Sequence, residues 1–129
     1  MTESIRVLFA DDSPDIVSLY ARLIDGEADL VCVGTLFSAV HLEEAVRAAD
    51  PHVAVVDLGM PGPDPLRVVA AIAPGRTGCQ FIAFTGYDDA ETRDRAFEAG
   101  FCALVSKHDH PLRVLEEVRR AVGRPPRAG

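Results

Sequence analysis

The only lysine of this chain, Lys107, lies just past the apolar run Cys102 to Val105, and arginine supplies every other fixed positive charge. Three further apolar runs also lead into reactive side chains. Ile5 to Ala10 is followed by Asp11 and Asp12, Val53 to Val56 by Asp57, and Phe81 to Phe84 by Thr85. Runs of this length and composition read as buried strands, and in an open parallel sheet their carboxyl ends share one edge. Such a sheet would gather three carboxylates, a hydroxyl and an ammonium. Two like charges about 4 Å apart repel by roughly 4 kcal/mol at an effective dielectric near 20, so the acids need a cation. All-oxygen ligation with positions left for water suits Mg2+; calcium is less well served, because no EF-hand-like loop is present. A bound magnesium ion together with Lys107 leaves a positive surplus that attracts a phosphoryl group. Phosphoryl transfer then needs only an in-line nucleophile and neutralised charge. Asp57, central in the sheet, is the candidate nucleophile and can form an acyl phosphate. Asp11 and Asp12 are candidate metal ligands, while Lys107 and Thr85 are placed to bind phosphoryl oxygens.

The elements that must position these groups alternate between β-like runs and amphipathic segments, the pattern of a doubly wound parallel sheet covered on both faces by helices. Five such pairs fit. After the first strand, Ser13 is a candidate N-cap with Pro14 at the first helical position, and Ile16, Val17, Tyr20 and Ile24 have core spacing up to Gly26. A strand from Leu30 to Thr35 precedes a helix over Ser38 to Ala49, with Val40, Ala45 and Val46 inward and Asp50-Pro51 as its stop. Beyond Asp57, the proline- and glycine-rich segment Gly59 to Pro65 must be a stiff loop, leading to a short helix over Leu66 to Ala73 closed by Pro74 and Gly75. Asp88 and Asp89 load the start of a helix reaching Ala99, and Gly100 supplies a left-handed exit. The last helix opens at Pro111 and carries Leu112, Leu115, Val118 and Val122 on one side.

At 129 residues the chain fits one domain, expected over residues 1–122, with 123–129 as a Pro-, Arg- and Gly-rich tail. The net charge of −7 and scattered arginines argue against direct nucleic-acid binding, which needs clustered cations. No apolar stretch approaches a membrane span and no signal-peptide layout opens the chain, so a cytoplasmic location is expected. Cys32, Cys79 and Cys102 are odd in number and widely spaced, and read as reduced residues.

Taken in order, Asp11-Asp12, the stretch Asp57 to Gly62 (DLGMPG), Thr85-Gly86 and Lys107 resemble the receiver domain of two-component response regulators over nearly the whole chain, Ile5 to Val122. The resemblance implies a flavodoxin-like fold of strand order 2-1-3-4-5, one of the two common orders of doubly wound sheets. It implies Asp57 as phosphoacceptor, direct magnesium ligation by Asp12, Asp57 and the Gly59 carbonyl, and a water-mediated role for Asp11. It also implies a sensor histidine kinase or histidine phosphotransfer protein as donor. Output would pass to an effector protein or a second copy through the fourth helix, fifth strand and fifth helix, a surface expected to include Arg93, Phe97, Leu104, Arg113 and Glu117. The chain departs from the family at three places. Leu104 stands where an aromatic switch residue is usual, His108 where a proline often follows the lysine, and Pro65 where a glycine often follows the loop acid.

Each residue also has a plainer reading. Asp11 and Asp12 could simply favour a helix N-terminus, Thr85 could be strand filler, and the four histidines are read as surface or capping residues. Lys107 could be an ordinary exposed lysine, but arginine is this chain's default cation. A flavodoxin or dinucleotide binder would place a phosphate cradle after the first strand, where these acids repel phosphate. A haloacid-dehalogenase-type phosphatase would carry a second aspartate at position 59, which is glycine. Without that internal base, hydrolysis of an acyl phosphate is expected to be slow, giving a switch and not an enzyme. The alternative is a pseudo-receiver, an interaction module that never turns over phosphate. Tyr87, two residues beyond Thr85, is expected to shield an acyl phosphate from water.

Overall fold

The computed structural model describes residues 3–72 and 77–123. Five strands, β1 (Ile5–Ala10), β2 (Leu30–Leu36), β3 (Val53–Asp57), β4 (Gln80–Thr85) and β5 (Ala103–Ser106), form one sheet in the order β2-β1-β3-β4-β5. Every neighbouring pair is parallel. The helices of the described residues are α1 (Pro14–Asp25), α2 (Leu42–Ala49), α3 (Pro65–Ile72), α4 (Ala90–Ala99) and α5 (Leu112–Ala121). This is the doubly wound α/β architecture expected from the alternation.

The central strands are apolar throughout because helices cover both faces of the sheet. All of β3 is buried, and its alternate residues feed two cores. Ala54 and Val56 pack with Leu8, Phe81, Val69 and Leu104 on one side. Val53 and Val55 pack with Phe9, Tyr20, Phe84 and Val118 on the other. Between β1 and β2 the register shifts after Val7, which brings Gly34 beside Leu8. A Cβ at Gly34 would meet Leu8 Cδ1 at 3.0 Å, so the missing side chain is what lets Leu8 sit there.

Local signals place several boundaries where the sequence puts them. The Ser13 hydroxyl accepts a hydrogen bond from Ile16 N, with Pro14 behind it. Asp89 caps α4 by accepting from Thr92 N at 2.7 Å, and Gly100 leaves the helix at φ 111°. Val17, Tyr20 and Ile24 are buried along α1, while Ile16 is only partly so. The second strand runs one residue further than expected, to Leu36.

Other boundaries differ. Residues 38–41 do not join α2; the Ser38 hydroxyl accepts from Val40 N, and both Ser38 Oγ and Ala39 N donate to the Pro61 carbonyl. That local bonding diverts the backbone from the helix and leaves Val40 exposed while Ala39 and Leu42 are buried. The buried face of α5 is also rotated from the expected one. Val114, Leu115 and Val118 are inside, whereas Leu112 is exposed. The expected stop of α3 at Pro74-Gly75 and the tail beyond residue 123 lie outside the described residues. All three cysteines are free, with Cys79 buried and Cys102 exposed just ahead of β5. No helix among the described residues is long and apolar enough to cross a membrane.

Candidate functional site

The strand ends deliver their side chains to one edge through short backbone bonds. Leu58 N donates to the Phe84 carbonyl at 3.0 Å, holding the end of β3 against β4. Lys107 N donates to the Thr85 carbonyl at 2.8 Å, fixing the segment after β5 beside the end of β4. Beneath them Phe9 stacks on Tyr20, and Phe84 meets both edge-on. The Lys107 ammonium lies 5.4 Å from the centre of the Phe84 ring, so this aromatic floor also supports the cation.

Asp11, Asp12 and Asp57 each bring one carboxylate oxygen to within 4.8 Å of the others. Asp11 and Asp57 are buried, and Asp12 is exposed on the rim. Lys107 Nζ reaches Asp11 Oδ2 at 2.8 Å and Asp57 Oδ2 at 3.2 Å. The remaining oxygens are turned inward by their own loops: Asp11 Oδ1 accepts from Ser13 N, and Asp57 Oδ1 accepts from Gly59 N, each at 2.9 Å. Although the ammonium is close to it, Asp11 Oδ2 receives no well-aligned hydrogen bond. The contact is ionic, and the buried oxygen keeps unused acceptor capacity.

One lysine therefore faces two buried acids. Burial pushes the Asp57 carboxyl above the usual carboxylate range; the Gly59 N–H and Lys107 oppose this, and the neighbouring Asp11 charge adds to it. For Lys107, burial acts to lower the ammonium pKa. The close contact with Asp11 and the charges of Asp57 and Asp11 outweigh that, so the net movement is upward. Both move upward, which favours the charged lysine but the neutral carboxyl, because the lysine is served twice while Asp57 shares its partner. A divalent cation fits this donor set: hard oxygens close together, one of them lacking an aligned donor, and acid charge left undercompensated.

Thr85 is buried at the end of β4, and its Oγ1 accepts from Tyr87 N at 3.0 Å. That bond leaves the hydroxyl proton free to donate into the cleft. The cleft around Asp57 is also lined by Asp64, Leu66, Thr92 and Arg95, residues that sequence reasoning did not single out. Their signal was weak: only the helical spacing of Thr92 and Arg95, three apart, would put both on one wall.

A family model described as response regulator receiver domain matches residues 7–119. The chain belongs to that family. Among relatives, the receiver is 35% identical over 106 residues to protein-glutamate methylesterase/protein-glutamine glutaminase 2 of Burkholderia thailandensis, covering 80% of this chain and 29% of that protein. It is 26% identical over 118 residues to the transcriptional regulatory protein DesR of Bacillus subtilis, covering 92% of this chain and 58% of that one. It thus spans less than two thirds of these relatives' lengths. Among solved structures, the response regulator domain of Thermotoga maritima CheB superposes with a TM-score of 0.85 at 21% identity, over 96% of this chain and 100% of that one.

Within this receiver, Leu104 occupies the position where the family resemblance expects an aromatic switch. It is 5% exposed and packed in the core beside Phe101 and Ala83. The expected output surface is corrected accordingly. Leu104 and Glu117 are both buried, the latter held by Arg113 and Arg120, so Phe97 and Leu112 are the large apolar side chains exposed there. Two of the histidines serve the backbone: half-buried His52 Nδ1 accepts from Arg6 N, and His110 Nδ1 accepts from Leu112 N. Tyr87 lines the cleft but is 77% exposed, so in this conformation its ring does not roof the site.

Proposed function

We propose that this receiver is a phosphorylation-controlled switch in which Asp57 accepts a phosphoryl group in a magnesium-dependent reaction. The observation that carries the reading is the charge imbalance: among the described residues, buried Asp11 and Asp57 share Lys107 as their one cationic partner. Asp12, Asp57 and the Gly59 carbonyl would hold the ion, with Asp11 acting through water. When bound, Mg2+ supplies charge neutralisation for the acids and the incoming phosphoryl oxygens.

The chain's own groups account for the remaining chemistry. A carboxylate oxygen of Asp57 attacks phosphorus as the donor's P–N bond breaks, and the departing imidazole nitrogen keeps the electron pair and takes up a proton. Lys107 and the free Thr85 hydroxyl proton each hold a phosphoryl oxygen as negative charge spreads over it. Gly59, in place of an acid, leaves no general base for the attacking water, so the acyl phosphate persists as a signal. The receiver catalyses its own phosphorylation and slow dephosphorylation and is not an enzyme acting on other substrates.

The donor is a phosphohistidine on a sensor kinase or phosphotransfer protein. Residues 1–122 are the signalling unit, acting in the cytoplasm without direct nucleic-acid contact. Output reaches an effector protein or a second copy through α4, β5 and α5. With Leu104 buried, the loop at Thr85 to Tyr87 carries the change, since Thr85 is bonded to Tyr87 N and not to an aromatic on β5.

Intact-mass measurement after acetyl phosphate or phosphoramidate treatment tests the reading. Wild type gains about 80 Da, one phosphoryl group, only with magnesium, and Asp57→Asn gains nothing. A wild type that never gains this mass is a pseudo-receiver.

A further inference from the structure

The cleft over Asp57 is acidic before any phosphate arrives. Asp12, Asp57, Asp64 and Asp89 line it, against Lys107 and Arg95. Lys107 is already engaged by Asp11 and Asp57. Two of the acids also have local work, Asp64 accepting from Leu66 N and Asp89 from Thr92 N, but these bonds leave their negative charge in place. Even when an ion on Asp12 and Asp57 offsets those two charges, Asp64 and Asp89 remain to repel an approaching phosphoryl group, itself anionic.

Arg95 is the exception on that wall. It projects from α4 with no ion pair and no hydrogen bond among the described residues. Its neighbours on the helix are disposed otherwise: Arg93 is taken by Asp88 at 2.7 Å, and Glu91, at the favourable i−4 spacing, does not engage Arg95. Helical side chains lean toward the helix N-terminus, and the N-terminal end of α4, with Asp89 and Thr92, also lines the cleft. A guanidinium in this position presents a planar fork of donors suited to two oxygens of one phosphoryl group.

Resting on the function above, we propose that Arg95 captures the donor's phosphoryl group at the cleft mouth and guides it toward Asp57, before Lys107 and Thr85 take hold of it. The role is one of binding and steering. No bond is made or broken by Arg95, and the transferred group leaves it for the inner site.

The test follows the phosphorylation rate of the full chain by intact mass, with acetyl phosphate as probe and magnesium saturating, in wild type, Arg95→Ala, Arg95→Lys and Arg95→Glu. Arg95→Ala is expected to slow phosphorylation roughly five- to tenfold, on the scale of one hydrogen bond screened by water at an exposed position, with Arg95→Glu slower still and Arg95→Lys between. Added salt should slow wild type more steeply than Arg95→Ala. Thermal stability and the dephosphorylation rate should stay at wild-type values, because Arg95 holds nothing in the fold. Wild-type rates and salt dependence in both Arg95→Ala and Arg95→Glu would overturn the role of Arg95 alone. A wild type that takes up no phosphoryl group overturns the proposed function, and this role with it.

Discussion

Two clusters at opposite edges of the sheet each set one cation against two acids, and they are built in opposite ways. At the end from which β1 and β2 start, Arg119 is buried. Its Nε and Nη2 donate to both oxygens of Asp29 at 2.9 and 2.8 Å, and Nη2 also reaches Glu27 at 2.7 Å. The acids there are the partly exposed members, with side chains 24% and 37% exposed, so they keep access to water. At the functional edge the acids are buried, the lysine is the partly exposed member, and Asp11 Oδ2 lacks an aligned donor. The first cluster is closed and ties α5 to the turn before β2. The second is open and undercompensated, and its deficit is what a divalent ion and a phosphoryl group can fill.

The sharpest way to break this contrast is to remove each cation. Arg119→Ala should destabilise the fold by about 1–3 kcal/mol in urea unfolding, since it removes the charge-assisted bonds of a buried guanidinium while its partly exposed acids keep access to water. The molecules that remain folded should still take up phosphate. Lys107→Ala should cut the phosphorylation rate by about a hundredfold or more, and Lys107→Arg should not restore the rate because a wider fork replaces a compact ammonium. Loss of phosphate uptake in folded Arg119→Ala, or its retention in Lys107→Ala, would erase the distinction between a structural and a functional cluster.

A smaller effect tests the imbalance through pH. Because the folded-state pKa of Asp57 is raised, chiefly by burial, the folded protein holds that proton more readily than the unfolded chain. The group's contribution to stability is therefore complete below the ordinary carboxylate pKa of about 3.9 and is lost as pH rises through the folded value. Asp57→Asn should then melt several degrees higher than wild type at neutral pH without magnesium, and the gap should close on acidification. A variant less stable than wild type at pH 7 would mean that the Lys107 pair outweighs burial.

The smallest expected effect concerns Tyr87. If its ring folds over the acyl phosphate once Thr85 turns inward, Tyr87→Ala should speed dephosphorylation by about two- to fivefold, less than the effect of general acid–base groups. An unchanged rate would agree with the exposed ring seen here and remove Tyr87 from the mechanism.

The functional edge was legible in the sequence because its residues end apolar runs, and strand ends in a parallel sheet converge whatever the helices do. Ser13, Pro14 and Gly100 marked helix limits through purely local bonding. What sequence could not supply was long-range pairing. Arg119 counted only as one of the scattered arginines, yet it is bonded to Asp29 across 90 positions. Ser38 read as a helix start, but its hydroxyl is committed to Pro61 in another loop. Glu117 read as surface, yet it is buried with its carboxylate between Arg113 and Arg120. Arg95 left no trace in the sequence, since an unpaired arginine on a helix gains meaning only from the cleft it borders.

A magnesium titration followed by thermal melting, on wild type and Asp57→Asn at neutral pH, reaches the central claim most directly. Magnesium should raise the melting temperature of wild type by several degrees and bring it level with or above Asp57→Asn, which should respond weakly. A wild type whose melting temperature ignores magnesium would contradict the claim that this edge is built short of positive charge.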